Sequence, residues 1–195
     1  MSGTGKTTLA TALAESLSMR FIEGDSLHPK CNIEKMSNGI PLTDEDRQPW
    51  LELVKATAEQ YALENSGDDN GGADNNQGEG CGVVITCSAL KRCYRDLLRG
   101  RNKDAFASHS DSSSKSQSSL STYFVFIKGD RDTISKRMER REGHYMKADM
   151  LDSQFDDLES PEGEDGVVVV NAEDTTEQQV EKAKEGITAI LALRK

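Results

Sequence analysis

The chain has 195 residues, 35% of them hydrophobic and 30% charged, and a formal net charge of −10. That length supports one domain, or a compact domain with a lid, built on its own core. The acid excess argues against a nucleic-acid-binding surface, and no apolar run approaches the roughly 20 residues of a membrane-spanning helix.

The chain opens on Gly3-Thr4-Gly5-Lys6-Thr7-Thr8, the back half of the phosphate-loop pattern G-x-x-x-x-G-K-[ST]. Backbone N–H groups at a helix N-terminus form an anion cradle there, and the glycines admit phosphate without a Cβ in the way. Lys6 reaches the β- and γ-phosphates in such a loop, and the Thr7 hydroxyl faces Mg²⁺. Leu9, Leu13 and Leu17 then repeat at helical spacing, so a helix follows the loop. The loop's first glycine would fall one residue before Met1. The strand that feeds such loops is central in its sheet, so the chain is expected to lack an upstream strand. The strands at 82–87 and 123–128 are expected to be left without the element between them.

A short strand at 19–23 leads into Glu23-Gly24-Asp25-Ser26-Leu27-His28-Pro29. Two carboxylates at i and i+2 on a strand end point to one face. One suits Mg²⁺ through water, and the other suits the proton of an attacking hydroxyl. A solvated acidic turn is the competing reading. Thr43-Asp44-Glu45-Asp46 resembles a capped helix start, with a helix at about 50–64 and Pro49 tolerated only in the first turn. Residues 65–80 and 108–121 are polar, Gly/Asn/Asp-rich and serine-rich respectively, and are expected to be disordered surface inserts.

Apolar runs at 82–87, 123–128 and 167–170 read as strands buried on both faces. They alternate with helices at about 91–99, 131–141, 148–158 and 176–193, the α/β pattern of a parallel sheet with right-handed crossovers. The basic stretches 91–101 and 136–147 could meet an anionic substrate. The cysteines Cys31, Cys81, Cys87 and Cys93 include no C-x-x-C pair, which argues against structural zinc and fits a reducing, cytoplasmic setting.

The blocks FIEGDSLHPKCNIEKMSNGIPLTDEDRQPWL (21–51), CSALKRCYRDLLR (87–99) and KGDRDTISKRMERREGHYMKADMLDSQFDDLESP (128–161) resemble the gluconate kinase family. The likeness spans nearly the whole chain apart from the two polar inserts. It implies a single α/β P-loop kinase domain over 1–195, a parallel sheet of order 2-3-1-4-5 whose first strand is missing, and a mobile lid at 137–147. It also implies transfer of the ATP γ-phosphoryl group, with Mg²⁺, to the 6-hydroxyl of D-gluconate, and possible assembly as a homodimer.

Carried over residue by residue, the resemblance puts Gly3, Thr4, Gly5, Lys6, Thr7 and Thr8 on the nucleotide, and Thr7 and Glu23 on Mg²⁺ through water. Asp25 becomes the group that orients and deprotonates the hydroxyl. His28, Arg47, Lys91 and Arg95 serve gluconate, with Arg47 or Arg95 taking its carboxylate. Arg137 and Arg141 act from the lid on the transferring phosphoryl group, while Arg140 is exposed and His144 belongs to the hinge. Glu23 stands where Asp is usual, and Glu142 where a basic residue is expected. Each residue also has a plainer reading. His28 could cap the helix near Pro29, Arg47 could pair with Asp44 or Glu45, and Lys91 and Arg95 could form a solvated helix face. Trp50 is expected in the core. The rivals are a shikimate- or nucleoside-monophosphate-type kinase and an inactive, truncated nucleotide binder.

Overall fold

The computed structural model describes residues 3–64, 82–101, 120–139 and 148–193. Helix α1 (Lys6–Leu17) starts from Gly5, whose φ of 92° lies in the left-handed region open to glycine. Leu9, Ala10, Leu13 and Ala14 form its buried stripe. Strand β1 (Arg20–Ile22) pairs in parallel with β2 (Val83–Ile85), Ile22 opposite Ile85. Strand β3 (Phe124–Lys128) pairs in parallel with β4 (Val167–Asn171), from Phe124 opposite Val167 to Lys128 opposite Asn171. All four predicted strands are present, and the described strands form two separate two-stranded sheets.

Helix α2 (Lys30–Ser37) follows a 3-10 turn at Gly24–Leu27, and Pro29, not His28, is its N-cap residue. Helix α3 runs Asp44–Glu64, so it begins a turn and a half before the expected Trp50. Thr43 and Asp46 cap it reciprocally: Asp46 N–H donates to Thr43 Oγ1 at 3.3 Å, and Thr43 N–H to Asp46 Oδ2 at 3.1 Å. Pro49 therefore sits beyond the first turn. It is tolerated because Pro49 and Glu45, four residues back, both lie on the exposed face, where water can solvate the carbonyl that loses its donor.

Helices α4 (Arg92–Leu98), α5 (Arg131–Glu139), α6 (Ala148–Asp156) and α7 (Thr176–Ala192) complete the chain, the last opened by a Thr175–Gln178 capping box. One core joins Trp50, Leu51 and Val54 of α3 to Leu90 and to Tyr94, Leu97 and Leu98 of α4. The other joins Leu9 and Leu13 of α1 to Ile127, Ile134, Leu151, Val170, Ala172 and Ala183. Helix α1 also packs on β1 and β2, so it bridges the two strand pairs. The polar stretch 65–80, most of 108–121 and residues 140–147, where a lid was expected, lie outside the described residues. Among the described residues no helix is long and apolar enough to cross a membrane.

Candidate active site

The phosphate loop and the acidic turn meet at the C-terminal end of β1. The Thr7 hydroxyl donates to Glu23 Oε2 at 2.7 Å. Lys6, the first residue of α1, is held below its ordinary pKa by burial, a shift opposed by the charges of Asp25 and Glu23. Lys6 thus lies within electrostatic range of both carboxylates. Burial pushes the neighbouring Cys87 thiol up to about 12, so it stays protonated beside Lys6. Helix α5 covers the loop from above: a Cβ on Gly3 would meet Met138 Cγ at 2.5 Å.

Gly24, between the two carboxylates, is fixed on both sides. Its N–H donates to Thr86 Oγ1 at 2.9 Å, and its carbonyl accepts from Trp50 Nε1 at 2.8 Å. A Cβ there would lie 1.9 Å from the Thr86 carbonyl oxygen, so only glycine fits. Trp50 is fully buried, as expected of a core residue. It also carries His28, whose ring stacks on the indole at 4.1 Å and 15°. His28 Nδ1 faces the Asn32 amide nitrogen at 3.4 Å, an arrangement that leaves Nε2 as the protonated nitrogen of the neutral ring. Burial lowers the His28 pKa to about 4, helped by Arg47 and opposed by Asp25.

Beyond His28 lies a cluster of opposite charges. Arg47 is buried and reaches Leu42 O with Nε at 3.4 Å and Asp157 with Nη2 at 4.0 Å. Lys91 Nζ lies 2.7 Å from Asp44 Oδ1 and 3.4 Å from Asp157 Oδ1. The Tyr94 hydroxyl also donates to Asp44, and these two donors hold the Asp44 carboxyl below its usual range. Arg47 thus points inward, where Asp157 is its ion-pair partner, and not to the surface with Glu45.

Arg95 does not join this cluster. It is 2% exposed. Its Nη1 donates to Ala89 O at 2.9 Å and Leu90 O at 2.8 Å, and its Nε and Nη2 clasp Glu164, the latter at 2.6 Å. Arg99 Nη1 joins the same carboxylate at 3.0 Å. Arg95 is therefore a buried tie between α4 and the turn before β4, and not part of a solvated helix face.

No family model matches the chain. It is 40% identical over 181 residues to a probable gluconokinase of Schizosaccharomyces pombe, covering 92% of this chain and 80% of that protein. It is 41% identical over 173 residues to a gluconokinase of Gluconobacter oxydans, covering 89% and 79%. The crystal structure of a gluconokinase from Sinorhizobium meliloti matches with a TM-score of 0.71 at 36% identity, over 97% of this chain and 88% of that one. The chain belongs to the gluconokinase family.

For a gluconokinase-family chain, the geometry brings Lys6, Thr7, Glu23 and Asp25 to one place, with His28, Arg47 and Lys91 beside it. Arg137 is docked through Nη2 on the Ala172 carbonyl at the end of β4. Arg140, Arg141 and His144 lie outside the described residues. Among the described residues no group of three His, Cys, Asp or Glu could hold a metal. One hydroxyl and one carboxylate, Thr7 and Glu23, instead fit Mg²⁺, which keeps most of its shell as water and phosphate oxygens. Sequence reasoning missed Thr86, Asp44, Tyr94, Asn32 and Asp157. The one available signal was Thr86, a hydroxyl closing an apolar strand.

Proposed function

We propose that this chain is a gluconokinase, moving the γ-phosphoryl group of ATP to the 6-hydroxyl of D-gluconate to give 6-phospho-D-gluconate and ADP. The observation that carries the reading is the contact between the phosphate loop and the acidic turn, Thr7 to Glu23, with Lys6 within electrostatic range of Asp25. This is the nucleotide end of a phosphoryl-transfer site placed directly against an exposed carboxylate.

In this reading the loop from Gly3 to Thr8 cradles the phosphates and Lys6 offsets their charge. Mg²⁺, held by Thr7 and by Glu23 through water, would neutralise charge on the phosphate oxygens. Asp25 orients the acceptor hydroxyl and takes its proton. His28, neutral at pH 7, offers Nε2–H to a sugar hydroxyl without adding charge. With Arg95 spent on Glu164, the gluconate carboxylate falls to Arg47 or Lys91. Arg137 and Arg141 would offset charge on the transferring group. The two strand pairs are halves of one parallel sheet, β1-β2 beside β3-β4. Support for that arrangement is the way α1 packs on β1 and β2 while Leu9 and Leu13 share a core with β3 and β4.

An ADP-release assay across gluconate, shikimate, glycerate and AMP, with and without Mg²⁺, tests the assignment. Turnover is expected with gluconate and Mg²⁺ together, and preference for another acceptor would replace it.

A further inference from the structure

Glu23 has two carboxylate oxygens, and the structure gives each a different partner. Oε2 accepts from the Thr7 hydroxyl at 2.7 Å, and Oε1 accepts from the Thr86 hydroxyl. Thr86 is 3% exposed and follows β2 directly; its own N–H donates to Ile22 O at 3.1 Å, extending the β1–β2 ladder by one step. Its hydroxyl oxygen accepts from Gly24 N–H at 2.9 Å. A hydroxyl has one proton to give. With Gly24 N–H occupying an acceptor side, that proton goes to Glu23. A carboxylate with one oxygen tied this way cannot rotate freely, and its second oxygen is aimed at the phosphate loop.

We propose that Thr86 is a positioning residue for the metal-nucleotide site: it locks Glu23 Oε1 so that Oε2 is presented, preoriented, toward Thr7 and the magnesium shell. Thr86 touches neither nucleotide nor gluconate, and acts through Glu23. The register of β1 on β2 is what makes this work, because it sets residue 86 beside residue 23. The inference rests on the kinase reading above, in which Thr7 and Glu23 serve Mg²⁺.

The test is ADP binding by calorimetry to the full chain, with Mg²⁺ and with EDTA, for wild type, Thr86→Val, Thr86→Ser, Glu23→Ala and the Thr86→Val/Glu23→Ala double variant. Wild type is expected to bind MgADP more tightly than metal-free ADP. Thr86→Val should cut that metal-dependent gain about tenfold, in line with loss of one charge-assisted hydrogen bond. It should leave metal-free binding near normal, and Thr86→Ser should restore the gain. In the Glu23→Ala background Thr86→Val should change the gain no further, since the pair acts as a unit. A purely structural role would lower both forms of binding together and add to Glu23→Ala, which would overturn the proposal. So would an unchanged metal-dependent gain in Thr86→Val. If Thr86→Val does not fold, Thr86→Ser and Thr86→Ala carry the comparison; a metal-dependent gain undiminished in Thr86→Ala overturns the proposal. Failure of wild type to bind ADP at all would overturn the kinase reading, and this inference with it, whereas normal MgADP binding insensitive to Thr86 would overturn this inference alone.

Discussion

Lys91 and Arg95 stand one helical turn apart at the start of α4, and the fold gives them opposite work. Lys91 keeps 24% of its side chain exposed and shares two partly exposed carboxylates, Asp44 and Asp157. Arg95 is sealed at 2% exposure, with Nε, Nη1 and Nη2 all committed to Glu164 and two backbone carbonyls. A cation in the first setting can trade one partner for an incoming anion at little cost. A cation in the second cannot, because releasing it would strand a partly buried carboxylate. The lesson is that basic residues near a site sort by what their donors already hold.

The same contrast separates Asp25 from Glu23. Glu23 is tied on both oxygens, while Asp25 is exposed beyond the pinned Gly24. Asp25→Asn should therefore give the largest loss of activity, with kcat down by about 10²–10⁴-fold, the range of a general base. KM for gluconate and the melting temperature should hardly move. Steady-state kinetics and a thermal melt check this together. A near-normal kcat would move the base elsewhere.

Arg95→Ala comes next and should act on stability. It leaves Glu164 in its partly buried site with only Arg99, and breaking such a pair costs about 3–5 kcal/mol. Chemical denaturation measures the loss. Whatever folds should keep its KM for gluconate, and a selective rise in KM with normal stability would return Arg95 to the substrate. Lys91→Ala should do the reverse: KM for gluconate up by about tenfold, as for one charge-assisted contact, with a small change in melting temperature.

The elements were legible in the sequence because their signals are local. The strands are apolar runs such as FVFIK, and α1 announces itself by Leu9 and Leu13. The start of α3 was misplaced because Pro49 looked like a first-turn residue, and only the exposed setting of Glu45 and Pro49 reveals why it is not. At the site, the loop and the Glu23-Gly24-Asp25 turn could be read from spacing. The sorting of the cations could not. Glu164 is 69 residues from Arg95, and Asp157 lies on the far side of β3 in sequence. Thr86 gains its role from strand register, which periodicity within one strand does not encode.

The effect expected to vanish at neutral pH concerns His28, and it tests whether the ring belongs with the buried groups or the exposed ones. Burial against Trp50 lowers its folded pKa to about 4, while an unfolded histidine titrates near 6.5. Between those values the unfolded chain binds the extra proton and the folded chain does not. Stability should therefore be complete above about pH 6.5 and be lost progressively as pH falls toward 4. His28→Phe keeps a ring for Trp50 to stack on and removes the titration. Carboxylate titrations are common to both proteins, so the informative quantity is the difference between their melting temperatures from pH 7 to pH 4. Wild type should lose ground to the variant across that window. Parallel curves would mean that His28 protonates in the folded protein as readily as in the unfolded one, and would place it on the solvent side of the comparison with Lys91.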